Sequence, residues 1–420
     1  MQNEKFQSLV ISGWRQFNSI QINFHPRITI ITGANGAGKS TILKILAQHF
    51  GWDSQLLATP EISKDGKKSF FSGIFKKILG DSENSAQSVI GHLTYQTGHK
   101  SPLSVPQNGG IRYDVQIGNQ RQVLGLNIPS HRPVPAYQQV GNIPTNPIRA
   151  ENAYETYFSE TKSRYQNNHT QFGPIYRMKE AIISMAIFGA GNQHVQKDIE
   201  VEKLFHDFKE ILSKILPSSI GFRDISIRIP DVVIVTDTGN FVLDAASGGL
   251  MSLVDLAWQI FLYSHDKEEF SVIFDEPENH LHPAMQRSLI RKLLDAFPKA
   301  QFIIATHSPF IVSSVKDSAV YVLKYDEVLS QVETGINSRV SSMQLDNVNK
   351  AGTASEILRD VLGIPVTLPE WAEGELYSIA KDFKIDEINT ETINTLRSRL
   401  DEAGLGEYYP DALKQIAVQR

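Results

Sequence analysis

Residues 26–43 read PRITIITGANGAGKSTIL, and their order decides the fold. Ile28–Ile31 is a short β-branched run, the pattern of a buried strand, and Thr41-Ile-Leu-Lys-Ile-Leu opens a helical apolar pattern. Between them Gly33, Ala34, Asn35, Gly36, Ala37, Gly38, Lys39 and Ser40 fit G-x-x-x-x-G-K-[ST] at every position. Strand, glycine loop and helix in this order let successive backbone N–H groups wrap a phosphate chain at a helix N-terminus, where the partial positive charge sits. Lys39 is expected to reach the β- and γ-phosphates, and the Ser40 hydroxyl to ligate Mg²⁺, with Thr41 completing the loop. A glycine turn that merely joins a strand to a helix needs neither the lysine nor the hydroxyls. ATP with Mg²⁺ is the expected ligand.

Composition narrows what the nucleotide serves. The 420 residues suffice for two or three domain-sized units with a full core. Lys+Arg of 41 against Asp+Glu of 46 leaves −5, so no global basic field advertises nucleic acid, although a local patch stays open. With no cysteine there is no disulfide or thiol chemistry. The start MQNEKFQSLV lacks the pattern of a signal peptide, and no apolar run approaches the length of a membrane span, so a cytoplasmic protein without a membrane partner is expected.

Working outward, FQSLVISGWRQFNSIQINF (6–24) alternates like a hairpin leading into the loop, whereas 51–88 is polar and gives no assignment. SVIGHLTYQ, GIRYDVQI and RQVLGLNI (within 88–128) read as an antiparallel meander, and the proline-rich chain from 129 to 147 as irregular. Helical segments follow, the clearest placing Leu204, Phe205, Phe208, Ile211, Leu212, Ile215 and Leu216 on one face. ISIRI and DVVIVTDTGNFVL form a second strand pair, ending at 243.

Three further stretches carry chemistry. In SVIFDEPENHLHP (271–283) an apolar strand ends on Asp275 and Glu276, at the carboxyl edge where open α/β sheets bind ligands. Asp275 is expected to hold Mg²⁺ through its water shell and Glu276 to polarise the water that attacks the γ-phosphate. In QFIIATHSPF (301–310) a second strand ends near His307, which can donate to a γ-phosphate. In LDAASGGLMSLVDLAW (243–258) Ser247, Gly248 and Gly249 precede a helix; alone they read as a capped helix start, with N–H groups able to meet phosphate.

Phosphate loop, long insert, SGG before a helix, a strand ending Asp-Glu and a strand ending in histidine together resemble the non-transporter branch of the ATP-binding-cassette class. The likeness is to the SMC, RecF and OLD ATPases of the AAA group, and especially to stand-alone ATPase subunits of bacterial anti-phage systems such as Septu, PARIS and retrons; DEPENHLHP and ATHSP carry the closeness. The resemblance covers about residues 1–325. It implies an α/β P-loop core in parts 1–135 and 219–330, with an antiparallel β subdomain and an inserted helical lobe at 136–218; the tail at 350–420 lies outside it and reads from its own pattern as a helical extension that binds a partner or braces a dimer.

The same resemblance implies a homodimer or higher oligomer paired head to tail, each ATP lying between Gly33–Thr41 of one chain and Ser247–Gly249 of the other. Gln138 or Gln139 would sense Mg²⁺, Glu276 and His307 would be catalytic, and Ser40 and Asp275 would hold the metal. The signature reads Ala246-Ser-Gly-Gly-Leu250, departing from the transporter form at its first and last residues, which speaks against a transporter subunit, as does the long insert. No D-x-D pair follows residue 310, so the tail lacks the carboxylates of a TOPRIM nuclease. A separate effector chain, a nuclease by this reading, is expected to supply the output, with Trp371, Leu376, Tyr377, Ile379 and Phe383 as its docking face. His280 and His282 read as interface loop rather than metal ligands. A RecF-type DNA-binding ATPase and a non-catalytic ATP-gated scaffold are the competing readings.

Overall fold

The computed structural model describes residues 3–53, 55–62, 68–74, 87–107, 110–131, 136–326, 339–361, 369–383 and 389–418. Contacts divide the chain into two compact units, Met1–Ala354 and Ser355–Arg420. The expectation of irregular chain at 132–135, and parts of the 51–88 stretch, lie outside the described residues.

In the first unit, β1 (Phe6–Trp14), β2 (Phe17–Asn23) and β3 (Ile28–Gly33) lead into helix α1 (Lys39–Ala47). Short strands β4 (Leu56–Leu57), β5 (Thr59–Ile62) and β6 (Lys68–Phe71) precede β7 (Gln87–Tyr95), β8 (Lys100–Pro106), β9 (Arg112–Tyr113), β10 (Gln116–Ile117) and β11 (Gly125–Ile128). Helices α2 (Ala150–Tyr165), α3 (Pro174–Ala190) and α4 (Ile199–Ile215) form the insert, followed by a small sheet of β12 (Phe222–Arg228), β13 (Asp231–Thr236) and β14 (Phe241–Val242). Then come α5 (Gly248–Ser264), β15 (Phe270–Asp275), α6 (Pro283–Ala296), β16 (Ala300–Ala305), α7 (Pro309–Val312), β17 (Ala319–Tyr325), β18 (Val340–Gln344) and α8 (Asn347–Lys350).

One sheet of eleven strands runs β10-β8-β7-β1-β2-β18-β17-β3-β16-β15-β11. Its parallel part pairs β17 with β3, β3 with β16, β16 with β15 and β15 with β11. Parallel strands feed crossover helices that cover both faces, which is why β3, β15 and β16 are buried almost throughout. Their carboxyl ends therefore lie on one edge. The loops after β3, β15 and β16 bring Gly33–Ser40, Asp275–Glu276 and His307 to that edge, as the sequence predicts.

The antiparallel part departs from the expected meander. β7 pairs with β8, a strand that the sequence reading passes over because Pro102 and Pro106 read as turn residues. Leu103 and Val105 are fully buried, and among the described residues the far side of β8 is covered by just the two residues of β10, a near-edge position that prolines tolerate. GIRYDVQI divides between β9, paired with β4, and β10. RQVLGLNI leaves the meander altogether: β11 runs parallel to β15 at the opposite end of the sheet.

The helical insert follows its pattern. Val201, Leu204, Phe208, Leu212 and Ile215 form the buried face of α4, and Asp198 caps the helix by accepting from the N–H groups of Glu200 and Val201. Phe208 meets Trp258 of α5 edge-on at 4.8 Å between ring centroids. Burying a side chain of this size contributes about 1.5–3 kcal/mol, which fixes α4 against α5.

The second unit begins at the end of α9 (Ala354–Glu356) and comprises α10 (Glu370–Lys381), α11 (Thr390–Glu402) and α12 (Tyr409–Val418). Ala372, Leu376, Ile379 and Ala380 of α10 pack with Leu396, Leu400, Leu405, Ala412 and Ile416. This corrects the expected docking face. Positions 372, 376, 379 and 380 share one side of the helix and fill the unit's own core, while Trp371 and Tyr377 lie on other faces, 67% and 53% exposed. No helix among the described residues is long and apolar enough to cross a membrane.

Candidate nucleotide site

The loop after β3 takes its shape from close approaches that admit only glycine. Gly33 has φ 140°, and a Cβ there would lie 2.4 Å from the Leu323 carbonyl oxygen of β17. Gly38 has φ 100°, with the Phe17 ring and the Gln16 amide in the space a Cβ would take. Any side chain at either position forces neighbouring strands apart. The exposed residues Ala34, Asn35 and Gly36 form the rim, and Ala37 is buried beneath them. The Tyr325 hydroxyl, at the end of β17, donates to the Asn35 carbonyl at 3.4 Å.

Lys39 is buried, and its ammonium donates to the carbonyls of Gly33 at 2.9 Å and Ala34 at 3.1 Å. Burial pushes its pKa down to about 8, opposed by the charges of Asp275, Glu276 and Glu278. A desolvated ammonium beside exposed backbone N–H groups is a strong anion receptor. Burial raises the pKa of Asp275, and a hydrogen bond from the Ser40 hydroxyl works against that rise. Hydroxyl and carboxylate meeting at the mouth of the loop are the oxygen donors a Mg²⁺ ion takes beside phosphates, so the residues fit the expected cofactor.

Glu276 sits in a left-handed backbone conformation, φ 51°, rare for a residue with a side chain. Its N–H donates to the Ala305 carbonyl of β16 at 2.9 Å, and the Asn279 amide holds its Oε2 at 3.0 Å while also reaching the Ser130 carbonyl at 3.2 Å. His307 Nε2 lies 3.7 Å from the Glu276 Oε1. Burial first, and then the charge of Lys39, lower the pKa of His307, with Glu276 acting in the opposite sense. Lys39, Ser40, Asp275, Glu276 and His307 thus converge at one place.

Glu278 was not singled out from the sequence. Its Oε1 accepts from Thr306 Oγ1 at 2.6 Å, from the His307 N–H at 2.9 Å and from the Ser308 N–H at 3.1 Å. One carboxylate oxygen therefore clamps the turn that carries His307, and burial raises the pKa of this carboxyl. The only sequence signal was its place in DEPENHLHP, where a second acidic residue reads as solvated turn. Asn279, in the same stretch, and Tyr325, at the end of β17, also escaped the sequence reading.

The other expected site residues lie apart from the loop. Ser247 caps α5, its Oγ accepting from the Leu250 N–H at 3.4 Å, and Ser247 and Gly248 are exposed. A Cβ at Gly249 would lie 2.9 Å from the His280 carbonyl oxygen, so the signature rests against the 276–281 turn. The Gln138 amide is engaged in the helical insert, accepting from the Gly173 N–H at 3.0 Å and donating to the Gln171 carbonyl at 2.9 Å. Among the described residues no hydrogen bond joins Gln138 or Gln139 to the phosphate loop. His282 caps α6 by accepting from the Ala284 N–H at 3.2 Å, and no group of three or more histidine or acidic side chains that could hold a metal occurs among the described residues.

Several known proteins are similar to this chain in sequence or fold. Two family models match, one described as "AAA domain" over residues 8–123 and one as "AAA domain, putative AbiEii toxin, Type IV TA system" over residues 198–313. The chain is 24% identical to a Septu protein PtuA of Bacillus thuringiensis over 94% of its own length and 93% of that protein's. A second Septu protein PtuA, of Bacillus mycoides, is 24% identical over 89% of this chain, which spans only 46% of that relative. The "Retron Ec83 probable ATPase" of Escherichia coli is 26% identical over 35% of this chain and 28% of its own. Among solved structures, the SMC head domain from Thermotoga maritima superposes with a TM-score of 0.40 at 15% identity, covering 81% of this chain and 99% of that one. The chain thus carries AAA-domain sequence over residues 8–123 and again from α4 to residue 313, and it is similar to Septu PtuA proteins and to a retron probable ATPase.

Proposed function

We propose that the chain is a Mg²⁺-dependent ATPase that pairs head to tail with a second copy and uses the ATP cycle to control a separate effector in anti-phage defence. The observation that carries this reading is the convergence of Lys39, Ser40, Asp275, Glu276 and His307 on one sheet edge. Lys39 and the loop N–H groups bind the phosphate chain. Ser40 and Asp275 would hold Mg²⁺, which would supply charge neutralisation for the phosphates. Glu276 accepts the proton of the attacking water, with its carboxylate fixed by the Asn279 amide. His307, whose pKa burial lowers, stands beside Glu276 to contact the γ-phosphate.

The head-to-tail arrangement rests on the exposed Ser247 and Gly248 at the N-terminus of α5, which have no bond to their own phosphate loop among the described residues. A two-fold dimer would place them on the partner's nucleotide. The near end-to-end match to a Septu PtuA supports the defence assignment, and with it an effector on another chain.

Mixing two inactive chains tests this. Lys39→Ala disables a chain's own loop and Ser247→Arg its contribution to a neighbour, so each homodimer should be inactive. In an equal mixture half the dimers are mixed and each of those keeps one intact site of two, so recovered phosphate release should approach about a quarter of the wild-type rate. Normal hydrolysis by Ser247→Arg alone would reduce SGG to a helix cap.

A further inference from the structure

Lys179 of α3 has no exposed side-chain surface. Its ammonium donates to the Gln138 carbonyl at 2.7 Å and to Asp244 Oδ2 at 2.7 Å, and it lies 3.7 Å from Asp231 Oδ1 and 5.0 Å from the centre of the Tyr137 ring. The Tyr137 hydroxyl in turn donates to Asp231 Oδ2 at 3.3 Å. Four segments meet on one charge: the insert helix α3, the chain at 137–138 that enters the insert, the start of β13, and the turn Leu243–Ala245 just before Ser247.

Packing does not require a lysine here. A buried ion pair is often matched in stability by apolar side chains of similar volume, whereas removing one partner leaves an uncompensated charge. Among the described residues Asp231 Oδ1 and Asp244 Oδ1 have no hydrogen-bond partner, so one ammonium is the cation that both carboxylates face, with the Tyr137 hydroxyl on the other oxygen of Asp231. What the lysine supplies is direction. It fixes Asp244, the Ala246 N–H closes the turn onto the Leu243 carbonyl at 3.1 Å, and Ser247 follows as the cap of α5. Beyond the signature, buried Asp255 of α5 accepts from the Tyr157 hydroxyl of α2 and from the Gln259 amide at 3.0 Å. The insert therefore holds the signature from both sides.

We propose that Lys179 is a positioning residue that sets Ser247-Gly248-Gly249 for the partner's nucleotide, so that the inserted helical lobe acts on the neighbour's site rather than on its own. This rests on the head-to-tail reading above. Lys179→Met, and independently the isosteric Asp244→Asn, should lower hydrolysis at least tenfold while each chain still binds ATP with wild-type affinity at its own loop.

Complementation separates this from a general structural role. Either variant mixed with Lys39→Ala should regain hydrolysis, because its intact loop meets an intact signature; mixed with Ser247→Arg it should regain none. Wild-type hydrolysis by both variants would overturn the proposal. So would lost ATP binding in both, or no recovery with Lys39→Ala, since the cluster would then serve the chain's own site or its folding. The reference mixture of Lys39→Ala with Ser247→Arg distinguishes the two levels: if it recovers and the Lys179 and Asp244 variants do not, only the positioning role falls. If the reference mixture fails, the head-to-tail site and this role fall together.

Discussion

Glu276→Gln should lower ATP turnover by about a hundredfold or more while leaving nucleotide affinity nearly unchanged. Glutamine matches glutamate in shape, so the left-handed backbone at 276, the bond from its N–H to Ala305 and the contact with Asn279 can all persist. What disappears is the ability to accept a proton, and with it the negative charge facing His307 at 3.7 Å. Phosphate binding draws on Lys39 and the loop amides, which this change does not touch. Steady-state phosphate release and titration with a fluorescent ATP analogue read the two effects separately. Turnover within a few-fold of wild type would remove Glu276 as the base.

The second large effect is on binding. Lys39→Ala deletes the one buried ammonium among the loop residues, whose hydrogen bonds now end on the Gly33 and Ala34 carbonyls. Hydrogen bonds to charged groups are worth about 1.5–3 kcal/mol each, so losing the contact to the phosphates should weaken ATP binding by roughly a hundredfold. Alanine is the best helix former, and Lys39 is the first residue of α1, so the helix itself should survive the change. Calorimetric titration with ATP and Mg²⁺ checks the affinity, and an unchanged melting temperature without nucleotide checks the fold. Wild-type affinity would exclude Lys39 from phosphate binding.

The centre of the site was legible in the sequence because its constraints are local. Gly33 and Gly38 take backbone conformations with positive φ that mark glycine whatever packs around them, and Lys39 and Ser40 follow in fixed order. Asp275, Glu276 and His307 announced themselves because each ends or follows an apolar strand, and parallel strands share one edge. What failed to show depends on pairings between distant segments. Nothing local in GLNI says that β11 crosses to pair with β15, and Pro102 and Pro106 conceal β8 until its short outer neighbour is known. Glu278 looked like a solvated carboxylate because its donors, Thr306, His307 and Ser308, lie about thirty residues away. In the tail, the apolar residues of α10 could not be sorted into inward and outward sides without knowing that α11 and α12 cover Leu376 and Ile379.

That two copies of the chain enclose the nucleotide is tested most directly by the molecular mass of Glu276→Gln in solution, measured by light scattering with and without ATP and Mg²⁺. Slowed turnover should trap the nucleotide between the two chains. The mass should double when ATP and Mg²⁺ are added, and the added Ser247→Arg substitution should abolish the doubling while ATP remains bound. A mass that is the same with and without nucleotide, in protein shown to have bound ATP, would contradict the composite site.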